Sequence, residues 1–588
     1  MRLVPPEPRR RWLLGSSLLS LGVLFFFSLG VPAGSGCGGA ASDGELDAAS
    51  GEAFDQVGKF LTTDAGGQKG LPTSVEGSST QVWTVIQRWS DTDTPSARAA
   101  GLAWTASSGL RWDEKFSRWV KSMPRIRTEN GTDTFILTTP YGKQLRMPAL
   151  ECSETALLLR AVFASWYGLP FFVEGRNASG RVYLGHFGFR NAAGRLSGTP
   201  NFKLAYKDSY VAGQAAPAIW PSDAALKARH LTDFDENAWL AAGAGFGAWA
   251  DAALLNKRVG YFLLFLLDYF GSMNLADSSN GFHLMPGALK TGDFLLERWQ
   301  KNGIGHTLVL KDVTALEAGQ FGAELVSGSM PRRAPRWDGA AWSRSYFMSD
   351  ITGGDGVADD GSPYYKLGGG LRRFRVAQQV SGYWTNNVPA WDVASGLSDS
   401  DYAAIKARPT QFATLLADVS PEQKVALLAS QIEQARANQR QHPSSCTSRT
   451  QREAFFAELV NFGQSQNGWS HAKVDRDYRK AEDYGLPELK YGQSPTCCWN
   501  STTPGMFDLF TKYNQAQQHS TSGCVQPTPF TKANYSKFKA YAQQVGRSAE
   551  WLDWTEDEPC TQKVNADDAP LPPAATSWCD VRDVVGSR

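Results

Sequence analysis

Two residues of this chain have the types and settings that thiol chemistry requires. Cys152 lies in MPALECSETALLLRAVFASWYGLPFF, at the head of a long apolar-periodic run. His306 lies in KTGDFLLERWQKNGIGHTLVLKDV, after Gly305 and at the head of an alternating stretch. A thiol attacks only as the thiolate, and its pKa falls at a helix N-terminus and beside an imidazole. If the two residues meet, they form the thiolate–imidazole pair of a cysteine hydrolase or acyltransferase. A carboxylate across the hairpin that follows His306 would fix the imidazole tautomer and steady its cation. Glu324, 18 residues on (324 − 306), is the candidate, with Asp312 at the strand end less well placed. Without a partner, Cys152 would pack as a small buried hydrophobe, and His306 would be an ordinary strand histidine. Glu151, Ser153 and Glu154 argue against a wholly apolar setting for the thiol.

The elements that must position these groups are legible nearby. Leu157, Ala161, Ala164 and Tyr167 recur at helical spacing after Cys152, and Gly168 and Pro170 stop the helix. GHTLVLKDV and GAELVSGSM read as paired strands joined through Glu317, Gly319 and Gln320. Upstream, SGLRWDEKFSRWVKSM reads as a helix and DTFILTT as a strand, while RVYLGHFGFR alternates like a strand. ALLNKRVGYFLLFLLDYFGSM is too interrupted by Asn, Lys, Arg and Asp to span a membrane and reads as a core helix. Arg332 and Arg333 read as a solvated turn rather than a carboxylate site. GGDGVADDGS lacks the spacing and the terminal Glu of an EF-hand and reads as a turn. SPEQKVALLASQIEQARANQRQ is a helix with Ser420 as N-cap, Pro421 at N1 and Gln423 closing the capping box.

At 588 residues the chain exceeds what one core serves, so two or three domains are expected. A net charge of +1 provides no global field for nucleic acid or an anionic membrane. The 12% aromatic content is assigned to core packing, since aromatics dominate core burial. Arg9, Arg10 and Arg11 precede WLLGSSLLSLGVLFFFSLGV and then VPAGSGCGGA, which resembles a bacterial lipoprotein signal cleaved before Cys37. Plain secretion and an uncleaved anchor are the alternatives. Eight cysteines then divide into three groups: Cys37 for the lipid, Cys152 alone, and six in the last quarter. The six, Cys446, Cys497, Cys498, Cys524, Cys560 and Cys579, read as three disulfides in an oxidising compartment. No CxxC pair supports zinc, so no metal and no cofactor is expected.

The order of the motifs resembles the NlpC-type peptidases and amidases of the papain-like superfold. It rests on Pro140-Tyr141, Glu151-Cys152-Ser153, Gly168-Leu169-Pro170, Pro286-Gly287, Gly292-Asp293 and Gly305-His306. The resemblance covers residues 140–175 and 284–330. It implies a nucleophile at Cys152, a base at His306, an oxyanion role for Tyr141 and a structural role for Asp293. The 154 residues between Cys152 and His306 (306 − 152) exceed the family's spacing and imply an insertion at 175–280. A second resemblance, to the transglutaminase-like core, pairs Cys152 with His186 in GHFGF and takes Asp208 as the carboxylate.

The expected fold is therefore α+β: a papain-like core with its N-terminal helix packed on an antiparallel sheet, followed by a mainly helical disulfide-bearing domain. The expected divisions are a signal peptide at 1–36, a tether at 37–80, a catalytic domain at 81–335, a loop-rich connector at 336–395 and the helical domain at 396–588. The expected function is an exported, lipid-anchored cysteine peptidase or amidase using Cys152, His306 and Glu324. Its partners would be a peptide or peptidoglycan substrate and the membrane through Cys37, with no nucleic acid. The alternatives are a transglutaminase-like acyltransferase and a non-catalytic surface lipoprotein.

Overall fold

The hairpin after Gly305 is the spine of the molecule. The computed structural model describes residues 70–92, 108–129, 131–177, 180–191, 194–195, 199–206, 222–232, 234–254, 256–301, 305–358, 360–441, 446–485, 504–519 and 525–551. Seven antiparallel strands form the central sheet: β1 (Gly281–Leu284), β2 (Phe294–Glu297), β3 (His306–Ala315), β4 (Phe321–Ser327), β5 (Arg336–Asp338), β6 (Gly370–Phe374) and β7 (Gly396–Leu397). Their spatial order is β5-β4-β3-β2-β6-β1-β7. The pairing Leu295↔Leu308 joins β2 to β3, and Val309↔Val326 and Leu310↔Leu325 join β3 to β4. Beyond Leu310 the register slips, so that Asp312 faces Glu324. The expected turn residues Glu317 and Gly319 close the hairpin in a short 3-10 turn.

Helices cover both faces of the sheet, which is why β3 and β4 are apolar on both sides. On one face Phe294, Leu296, Val309 and Val326 share a core with α2 (Cys152–Trp166), α1 (Trp112–Ser122) and α3 (Lys257–Tyr269). On the other, Leu295, Leu308, Leu310 and Leu325 pack against Phe347 of α4 (Ala340–Phe347) and Phe412 of α5 (Tyr402–Leu415).

Helix α2 is buried on every side along residues 153–164, so its sequence is apolar all round rather than amphipathic. Leu157, Leu158 and Leu159 are fully buried, each contributing about 1.5–3 kcal/mol. The helix ends as expected: Gly168 takes φ +59°, and the Leu169 N–H donates to the Ala164 carbonyl at 2.8 Å. Phe163 sits among Trp89, Trp112, Phe116, Trp119 and Tyr167, with ring centroids 4.9–6.3 Å away. These tryptophans and phenylalanines are core residues. The apolar stretch read as a core helix is α3, which packs on α2. Among the described residues no helix is long and apolar enough to cross a membrane.

Three segments differ from expectation. RVYLGHFGFR is a hairpin, not one strand: Gly180–Gly185 and Gly188–Asn191 pair around His186 and Phe187, and Gly188 takes φ +90°. The segment 336–395 is no connector. It provides β5, α4 and β6, and β6 lies inside the sheet between β2 and β1. Its arginines hid the strand: Arg373 is buried in a bidentate pair with Asp293 at 2.6 and 2.8 Å, and Arg372 donates to the Gly281 carbonyl at 2.9 Å. The glycine run before β6 is cut to fit Arg408 of α5, whose guanidinium donates to the Gly369 carbonyl at 2.8 Å. A Cβ on Gly370, at φ +100°, would stand 2.2 Å from Arg408 Nη2. Third, Arg332 is no solvated turn but the centre of a buried ion-pair cluster.

After β7 the described chain is helical, as expected. Helix α6 (Pro421–Gln441) has the predicted box: Ser420 Oγ accepts from the Gln423 N–H at 3.2 Å, and Gln423 Oε1 accepts from the Ser420 N–H at 2.9 Å. Leu428 and Ile432 pack against Phe456 and Leu459 of α7 (Cys446–Asn467). Cys446 opens α7. Cys37, Cys497, Cys498, Cys524, Cys560 and Cys579 lie outside the described residues, as do the segment read as a signal peptide and most of the segment read as a tether.

Candidate active site

The site is built where the chain enters α2. Leu150 is stitched to the segment after β4: its N–H donates to the Arg333 carbonyl at 2.8 Å, and its carbonyl accepts from the Ser329 N–H at 3.0 Å. Gly328 permits this approach, because a Cβ there would lie 2.2 Å from the Leu150 carbonyl oxygen. The Glu151 N–H donates to Glu154 Oε2 at 2.7 Å, closing the first turn of the helix. Cys152 is thereby fixed at the positive end of a fifteen-residue helix. Its thiol is half-buried and lies 3.7 Å from the carbonyl oxygen of Gly305. Gly305 is held in turn by Ser272, whose Oγ accepts its N–H at 2.8 Å.

Arg332 pairs with the carboxylates that flank the thiol. Its Nη2 lies 2.7 Å from Glu154 Oε1, 3.1 Å from Glu151 Oε1 and 3.7 Å from Asp268 Oδ1. It also donates to the Thr232 carbonyl. These carboxylates hold the Arg332 guanidinium above its ordinary pKa, against the effect of burial. Burial pushes the Asp268 carboxyl up to about 6, with Arg332 opposing.

His306 begins β3 one residue after Gly305, so the two predicted partners arrive at the same strand end. Their side chains do not meet. His306 shares its face with Leu308 and Leu310, the α4–α5 side, whereas α2 covers the face of Val309. The imidazole stands across from Glu297 and 6.5 Å, centroid to centroid, from the ring of Tyr346 on α4. Burial, then the positive charges of Arg333 and Arg336, push its pKa down to about 3. The ring is neutral throughout the physiological range. Tyr346 belongs to a polar cluster of its own: its hydroxyl accepts from Arg336 and Trp342 at 3.2 Å each, and Arg336 is paired with Asp338 at 2.6 Å.

On the thiol's side of the sheet the cation is Arg298, which the sequence reading missed. It follows β2 and alternates with Phe294 and Leu296, the residues that face α2. Its side chain is completely buried. A Cβ on Gly305 would lie 2.4 Å from the Glu297 carbonyl oxygen, 2.7 Å from Arg298 Cδ and 2.9 Å from Nη1, so glycine is required where the Arg298 side chain passes. Burial lowers the Arg298 pKa to about 10, and a negative charge on Cys152 opposes that fall. The available signal was the two-residue alternation of FLLER.

Several predicted site residues lie elsewhere. Glu324 pairs with Asp312, six residues along β3 from His306 (312 − 306), which is roughly 20 Å of strand. Its Oε2 accepts from Trp337 Nε1 at 2.6 Å, so it is a structural residue at the turn end of the hairpin. Carrying the Val309↔Val326 register three places brings the Ser329 region, not Glu324, across from His306. Tyr141 is at the tip of the hairpin between Asp133–Thr138 and Gln144–Arg146, 37% exposed. It lies beside Tyr167, at the opposite end of α2 from the thiol, a helix length of roughly 22 Å. No oxyanion role follows from that position. His186 is at the same far end, fully buried, with Nδ1 3.0 Å from the Phe171 carbonyl and its ring 4.7 Å from that of Trp384. It is a core histidine, and its proposed partner Asp208 lies outside the described residues. His283 is also buried, between Arg372 and Arg408 at 2.9 and 3.1 Å. Asp293 is buried and paired with Arg373 at 2.6 and 2.8 Å. Among the described residues no cluster of His, Cys, Asp and Glu has the form of a metal site. No family model matches the chain, and no characterised protein or solved structure matches it either.

Proposed function

We propose that this chain is a cysteine amidohydrolase or peptidase of papain-like type, with Cys152 as nucleophile and His306 as acid–base. One observation carries the reading: a thiol at the head of a buried helix lies 3.7 Å from the backbone of the residue before His306. The thiolate attacks the amide carbonyl carbon, its proton having passed to His306. The C–N bond then breaks, and the departing nitrogen takes the proton from the imidazolium. Water releases the acyl group from sulfur and restores the thiol; an amine in its place gives acyl transfer. For this the imidazole must turn past Gly305 at the end of β3, away from Tyr346 and the arginines that depress its pKa. The export-type N-terminus with Cys37 supports a lipid-anchored protein of the bacterial cell envelope, acting on peptides such as those of peptidoglycan.

The resting position of His306 on the opposite face favours one second reading, a non-catalytic surface protein that binds peptide or glycan. Amine release from peptidoglycan stem peptides decides between them. The hydrolase reading predicts turnover that is abolished in Cys152→Ala and reduced at least a hundredfold in His306→Ala. Peptide binding without turnover in the wild-type chain would leave the binding reading.

A further inference from the structure

We infer that Arg298, rather than His306, is the residue that holds the Cys152 thiolate, as a positioning residue acting through the sulfur. This rests on reading Cys152 as the nucleophile of the site. Three observations converge on the α2 side of Gly305. The thiol donates to the Gly305 carbonyl oxygen at 3.7 Å, which places the sulfur at this strand end; ionisation gives up that bond, and a nearby cation must offset the loss. The Arg298 side chain passes so close to Gly305 that a Cβ there would be 2.9 Å from its Nη1. Thr307, on the same face as Gly305 by strand alternation, is completely buried, and its hydroxyl has no hydrogen-bond partner among the described residues. A buried cation and an unused donor thus share the α2 face of the strand end whose Gly305 the thiol contacts, and a cation near the sulfur favours the thiolate.

The other charged groups around the thiol do not supply this. Glu151 and Glu154 from α2, and Asp268 from α3, are negative and oppose ionisation of the thiol. Arg332 is committed to those three carboxylates. The charges of Arg333 and Arg336 act on His306. His306 itself is neutral and faces Tyr346. Arg298 is the guanidinium that a negative charge on Cys152 stabilises, and in a buried setting such an interaction is weakly screened. The Arg298 charge therefore favours the thiolate whichever face His306 occupies, and in turnover the imidazole receives the thiol proton once it has turned past Gly305.

The test is the pH profile of Cys152 alkylation by iodoacetamide in the full chain, resolved by peptide mass spectrometry. In that reaction the S–C bond forms as iodide leaves, so the rate follows the thiolate. The wild-type midpoint is expected at least one pH unit below that of the same cysteine in the urea-unfolded chain. Arg298→Gln is expected to raise the midpoint by one pH unit or more, a tenfold loss of thiolate in the lower range. Arg298→Lys, which keeps the charge, is expected to recover most of the shift; a merely structural role for Arg298 would not give that rescue. An unchanged midpoint in Arg298→Gln overturns the inference, and so does a lysine variant as high as the glutamine one. If Arg298→Gln does not fold, a wild-type midpoint equal to that of the unfolded chain still overturns it. The readout is the thiol alone, so failure of the hydrolase reading appears separately, as absent peptide turnover with an Arg298-dependent thiol.

Discussion

The two faces of the sheet at the start of β3 hold the two halves of the predicted pair in different environments. On the α2 face the thiol meets a helix N-terminus, a buried arginine and a set of carboxylates paired with Arg332. On the α4 face the imidazole meets Tyr346 and two arginines, and is held neutral. One side favours a negative charge and the other forbids a positive one. Arrival at the same strand end is thus not enough to make an ion pair. The face on which each side chain leaves the sheet decides its chemistry.

Four substitutions break or sharpen this contrast. Arg332→Ala acts on the α2 face and strands Glu151 and Glu154 without their cation. It is expected to destabilise the fold by about 3–5 kcal/mol in denaturant titrations, the usual result of breaking a buried pair. On the α4 face, His306 ionises far less readily folded than unfolded. A group with a lowered folded pKa contributes stability that is present above its unfolded value and is lost as pH falls toward the folded one. Wild-type stability should therefore fall between pH 6.5 and the folded value of about 3, and His306→Gln should remove on the order of 2–4 kcal/mol of that acid sensitivity. Denaturation at pH 7 and pH 4 checks this; equal acid sensitivity in the variant would contradict the assigned face. Tyr346→Phe deletes the hydroxyl that Arg336 and Trp342 share. It should cost about 1–2 kcal/mol by thermal unfolding while leaving the alkylation rate of Cys152 unchanged. Glu324→Gln has the smallest expected effect. Peptide turnover should stay within about twofold and stability within about 0.5 kcal/mol, because Glu324 sits at the far end of the hairpin. A large loss of turnover would restore it to the site.

Elements were easier to read than faces. Helix α2 begins at the predicted cysteine and stops at the predicted glycine, because capping, periodicity and termination are local. The β3–β4 hairpin was legible for the same reason. Its faces were not, since a sheet covered on both sides shows Leu308, Val309 and Leu310 as one apolar run with no inward or outward sign. The face of His306 therefore needed tertiary information, namely which helices cover which side. Glu324 was misplaced because an 18-residue count fixes a separation in sequence but not a register, and the slip after Leu310 displaces the pairing further. Tyr141 was placed by its order in a motif, and α2 carries the chain a full helix length away from it. β6 was hidden because Arg372 and Arg373 are polar in sequence and paired when folded.

The central claim is that the thiol and the imidazole rest on opposite faces, so that His306 does not set the ionisation of Cys152. The pH profile of Cys152 alkylation in folded His306→Gln tests it most directly. The account predicts a midpoint unchanged from wild type, even as peptide turnover falls. A midpoint raised by one pH unit or more would place the imidazole against the thiol and contradict it.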